Sequence, residues 1–88
     1  MQLGRVIGSV VATVKDPKLS GLTLLVVQPI APDGAAAGRP VIAADSVGAG
    51  VDEHVFFVRG TEASFPFDPV APPADAAIVG IVDEWDRV

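Results

Sequence analysis

"AAIVGIVDEW", residues 76–85, decides the fold. As a helix it would place Val and Ile, both poor helix formers, around Gly80, which costs roughly 1 kcal/mol against alanine in a helix interior. As a strand the same branched residues are well suited to a pleated surface. The stretch is therefore predicted to be a strand with a glycine inside it.

Working outward, the other apolar stretches have the same character. "RVIGSVVATV" (5–14) is rich in β-branched residues and is interrupted by Gly8, with Gly4 just ahead of it. Glycines in strands mark bends or close backbone approach, as at the corners of a small barrel. "KDPKLSG" (15–21) is turn chemistry, opened by Asp16-Pro17 and closed by Ser20-Gly21. "LTLLVVQPI" (22–30) is a continuous apolar run of the kind buried on both faces. "APDGAAAGRP" (31–40) carries a Pro-Asp-Gly reverse-turn signal. "VIAADSV" (41–47) and "EHVFFVRG" (53–60) are short strands on either side of a glycine loop. "TEASFPFDPVAPPAD" (61–75) holds four of the eight prolines, so it cannot be a central strand. It is expected to be a long surface connection, with one short helical turn before Pro66. The sum is an all-β chain: a small, closed, OB-like β-barrel of five or six short strands with at most one short helix.

The length of 88 residues fits one domain, 1–88. A domain of this size buries a modest share of its surface. With no cysteine, disulfides and thiolate metal sites are excluded. Half the residues are hydrophobic, and the mean hydropathy is +0.50. Yet no apolar run approaches the roughly 18 residues of a membrane helix. The opening "MQLGRVIGSV" lacks the basic start and continuous apolar core of a signal peptide. Surplus apolar surface with no membrane to receive it points to buried subunit interfaces. The formal net charge of −5, with six scattered basic residues against eleven acidic ones, argues against a nucleic-acid partner.

The glycine loop "ADSVGAGVDE" (44–53) raises the question of a phosphate cradle. A dinucleotide fingerprint needs a third glycine where Glu53 stands and a helix after it; a P-loop needs a lysine after Gly50. Asp45, Asp52 and Glu53 would repel a phosphate. The loop is expected instead to need positive φ or close approach of another backbone. The single histidine, His54, has no signature of a nucleophile or orienting partner and is expected to be a solvated strand residue. The carboxylates lack calcium-loop spacing, so solvated charge is their default. Phe65 and Phe67 flank Pro66 as either a local anchor or a plug for a neighbour, and Trp85 suits a barrel end or an interface. No catalytic, cofactor-binding or metal-ligating constellation emerges. A rival reading, an OB-like module for nucleic acid or a small ligand, would need a basic groove and stacking aromatics; the acidic balance and 6% aromatic content disfavour it.

Three stretches carry a resemblance: "GRVIGSVVATVKDPKLSGLTLLVVQP" (4–29), "ADSVGAGVDEHVFFVRG" (44–60) and "DAAIVGIVDEW" (75–85). Together they resemble the vertex-protein family of bacterial microcompartments, the pentamers of ethanolamine-utilisation and carboxysome shells. The resemblance covers nearly the whole chain, in order; the ensemble carries it, not any one motif. It implies a small β-barrel forming a five-fold ring shaped like a truncated pyramid, with a narrow axial opening. It implies a non-enzymatic, cofactor-free homopentamer in a cytoplasmic microcompartment shell, closing flat sheets of hexameric shell proteins at their corners. On this reading the small residues Ser46, Val47, Gly48, Ala49 and Gly50 are expected near the five-fold axis. Arg5 and Arg59 are expected to pair with carboxylates within or between subunits, and Phe65, Phe67 and Trp85 are further interface candidates. The chain departs from the family pattern at Asp52, often glycine, and at Ala74, often valine. The connection 61–73 is its least family-like part.

Overall fold

In the computed structural model, the residues described are 1–11, 23–60 and 76–83. They form five strands: β1 (Gln2–Val10), β2 (Thr23–Pro29), β3 (Val41–Asp45), β4 (His54–Arg59) and β5 (Ala76–Ile81). The strands close into a barrel in the order β1-β2-β3-β5-β4, with β4 returning to β1. No α-helix occurs among the described residues. The expected turn over 15–21, the helical turn before Pro66 and the ends of the first and last predicted strands (12–14 and 84–85) lie outside them.

An odd number of strands cannot alternate direction all the way round a closed ring. One neighbouring pair must run parallel, and it is β3 with β5, through Ala43↔Ala76, Ala44↔Ala77 and Asp45↔Ile78. The other four pairings are antiparallel. Alanines fill most of the parallel seam, and Ala43, Ala44, Ala76 and Ala77 are all fully buried.

Alternation along the strands sends one set of side chains inward. Val6, Leu25, Val27, Ala43, Val55, Phe57, Ala76 and Ile78 form the barrel core, with Val41 and Ile81 packed against it. All buried side chains among the described residues are apolar. Along β2, Leu24 and Leu25 point to opposite faces and are both buried, as its continuous apolar run implies.

Strand limits differ from the sequence reading for local reasons. β1 starts at Gln2 instead of Arg5, because Gln2 and Leu3 find partners in Phe57 and Phe56 of β4. β3 stops at Asp45, two residues early, because the Asp45 carboxylate accepts from the next amides and turns the chain. Between β2 and β3, Gly34 at φ 90° closes a turn, donating its amide to the Ala31 carbonyl at 2.8 Å. Gln28 Nε2 donates to the carbonyls of Pro29 and Gly38, both at 2.9 Å, and ties this connection to the barrel.

The two glycines of β1 have different reasons. Gly4 is buried where a Cβ would overlap Val27 Cγ1 and lie 2.9 Å from Phe57 Cε1. Gly8 has nothing within 4 Å of that position and borders a bulge where the β1–β2 register slips between Val6 and Gly8. Gly4→Ala should therefore destabilise the barrel by about 1–3 kcal/mol through overpacking. Gly8→Ala should stay within about 0.5 kcal/mol of the parent. Denaturant unfolding of both variants at one protein concentration checks the contrast.

Candidate functional site

The loop from Ser46 to Glu53 joins β3 to β4, and its shape is set by its own acids. Asp45 Oδ1 accepts from the amides of Val47 at 3.0 Å and Gly48 at 3.2 Å, and Asp45 Oδ2 accepts from Ala49 at 2.9 Å. Glu53 Oε1 accepts from Gly50 at 2.6 Å, and the Glu53 amide donates to the Gly50 carbonyl at 3.1 Å. Four successive amides, 47 to 50, thus point at carboxylates of the same chain. The anion cradle raised by the glycines does exist as backbone geometry, but Asp45 and Glu53 already fill it. This corrects the expectation that these two acids are merely solvated charges.

Gly48 adopts φ 86°, a region that side chains enter only with strain. Ala49, between the two glycines, is buried and belongs to the barrel core cluster. The Gly-Ala-Gly sequence thus bends the chain so that the Ala49 methyl group packs into the core. Ser46, Val47 and Gly48 ahead of Ala49 in the chain, and Val51 after it, are exposed. Val47 is 40% and Val51 57% exposed, so an acid-rich loop also presents two apolar side chains to solvent.

Asp52 is the one non-glycine residue at positive φ among the described residues, at 73°. Its amide donates to the Val6 carbonyl at 2.7 Å, and the Val6 amide donates to the Glu53 carbonyl at 2.9 Å. The loop is thereby stitched to β1. Arg5 Nη1 meets Asp52 Oδ1 at 3.2 Å. Both side chains are largely solvent-exposed, so this pair contributes roughly 0–1 kcal/mol. Arg5 thus has a carboxylate within its own chain. Arg59 lies with its guanidinium carbon 5.6 Å from the Phe57 ring centroid, a cation–π arrangement.

Next to the loop, the outward faces of β1, β4 and β5 form an apolar patch. Leu3 pairs with Phe56 across β1 and β4, and Phe56 pairs with Gly80 across β4 and β5. Phe56 is 39% exposed, and Val79, set beside it by a register shift, is 38% exposed. His54 is half-buried at the edge of this patch, opposite Arg5. Phe65, Phe67 and Trp85 lie outside the described residues. The alternation of β4 gave Phe56 an outward position in principle; the hollow beside Gly80 needed the pairing to be known. Among the described residues, no group of three His, Cys, Asp or Glu side chains could hold a metal ion.

The geometry is that of a small β-barrel subunit with a rigid, self-capped loop and an apolar outer sheet face. The chain belongs to the EutN/CcmL family: residues 1–83 match the family described as "Ethanolamine utilisation protein EutN/carboxysome". It is 45% identical over 83 residues to the carboxysome shell vertex protein CcmL of Synechococcus elongatus, covering 94% of this chain and 84% of that one. It is 44% identical over 87 residues to the bacterial microcompartment shell vertex protein PduN of Salmonella typhimurium, covering 94% and 96%. Its fold superposes on the GrpN pentameric microcompartment shell protein from Rhodospirillum rubrum with a TM-score of 0.82, at 41% identity over 100% of both chains.

Two substitutions test the loop. Asp45→Ala should cost about 1–3 kcal/mol, because three amides lose their acceptor, and should speed hydrogen exchange at residues 47–49. Asp45→Asn keeps an acceptor oxygen and should restore part of the loss. Gly48→Val should cost roughly 1–2 kcal/mol, because a branched residue is forced into the left-handed region.

Proposed function

We propose that this chain is a structural shell protein that forms homopentamers, caps the vertices of a bacterial microcompartment and closes its polyhedral shell. The single observation that carries the reading is its likeness, at 44–45% identity over nearly the full length, to proteins named as shell vertex proteins. The physical chemistry is consistent with it. A small barrel that leaves Phe56, Val79, Val47 and Val51 partly exposed has apolar surface to bury, and a closed ring of identical subunits buries it. The acidic surplus, a formal net charge of −5, keeps such a tile soluble before assembly.

In the ring, Ser46 to Gly50 lies close to the five-fold axis. The glycines there offer no side-chain bulk, so five copies of the loop can converge. The pentamer sits among hexameric shell proteins, within the cytoplasmic shell. The role is mechanical: five-fold tiles supply the curvature that flat sheets lack, and neither a catalytic group nor a cofactor takes part.

Native mass spectrometry of the purified chain should give five times the 9.0 kDa subunit mass. A clean monomer across micromolar concentrations overturns the proposal. In cells, deleting the gene should leave shells open or elongated, and restoring it should close them.

A further inference from the structure

The proposed ring needs two different surfaces on every copy. A five-fold contact is heterologous: the patch that one subunit offers forward differs from the patch it offers backward. The exposed apolar side chains of the described residues include Met1, Ile7 and Val11 and two groups that lie on different parts of the subunit. One is the sheet face of Phe56 and Val79, with half-buried Leu3 beside Phe56; the other is the loop pair Val47 and Val51. Resting on the pentamer reading, we infer that the β3–β4 loop of each subunit seats Val51, with Val47 behind it, against the Phe56–Val79 face of the next copy of this chain.

The two surfaces fit each other in form. The sheet face is hollowed at Gly80, the cross-strand partner of Phe56. A Cβ placed there would lie 3.9 Å from Phe56 Cδ2, in ordinary contact. With no side chain present, the space beside the Phe56 ring is open to at least a methyl group. The loop is a suitable knob because it is already fixed. Asp45 accepts from three of its amides and Glu53 from a fourth. Little conformational freedom is then lost on docking.

They also fit in charge. The outward residues of β1 and β4 include Arg5 and His54 and no carboxylate. The loop brings Asp45 and Glu53 with their oxygens turned onto its own amides, and Asp52 held by Arg5. Apolar surface therefore meets apolar surface without an unpaired like-charge contact. This divides the work of the loop: its glycines face the axis while its valines grip the neighbour.

The absence of cysteine makes a direct test possible. The double variant Val51→Cys/Val79→Cys, treated with a short bismaleimide, should give a denaturing-gel ladder that ends at five subunits. Each single variant should give no ladder beyond the dimer. A double variant that is pentameric by native mass yet yields no ladder overturns the contact and leaves the pentamer standing. If the unmodified chain has no pentamer, the functional proposal fails and this contact with it. A second variant avoids cross-linking. Gly80→Val fills the hollow, and should keep a folded barrel by circular dichroism while raising the concentration needed for pentamers at least tenfold. Unchanged assembly of a folded Gly80→Val protein also overturns the inference.

Discussion

Five strands cannot close a barrel with antiparallel neighbours alone, and the rest of this structure depends on how that constraint is met. The parallel pair β3–β5 spans only three register positions. Alanine occupies both sides at two of them, and these four side chains are completely buried. Small side chains keep this seam narrow, while larger ones, Phe57, Ile78, Val6, Val27 and Val55, fill the interior. Gly4 belongs to the same economy of space, since the volume beside it is taken by Val27 and Phe57.

Asp45 links closure to surface. It is the last residue of β3 and part of the parallel seam, opposite Ile78. Its backbone is thus held by the barrel, and its carboxylate in turn holds the loop by accepting from three amides. Ala49 returns the loop to the core, and Asp52 and Glu53 fasten its far end to β1. The loop is therefore an extension of the rigid barrel.

The sequence made much of the fold legible. β-branched segments punctuated by turn residues indicated short strands, and the continuous apolar run at β2 indicated burial on both faces. The strand limits were less legible. Gln2 and Leu3 join β1 only because β4 lies alongside. Asp45 ends β3 through bonds that no periodicity announces. In the loop, the missing third glycine and lysine were enough to set aside a phosphate cradle. That Asp45 and Glu53 fill the amides themselves required coordinates, since the direction of a carboxylate is not written in its neighbours.

By itself, the sequence determined the class of fold, the lack of disulfide and thiolate chemistry, the excess of apolar surface and the resemblance to a shell family. The first three follow from composition and local pattern, which act over a few residues at a time; the resemblance rests on three stretches taken in order along the chain. Tertiary structure decided which strands pair, where the unavoidable parallel seam falls, and which apolar side chains remain outside. Phe56 and Phe57 are adjacent and chemically identical, yet one is 39% exposed and the other fully buried. Alternation places them on opposite faces, but only closure of the barrel determines which face becomes the core.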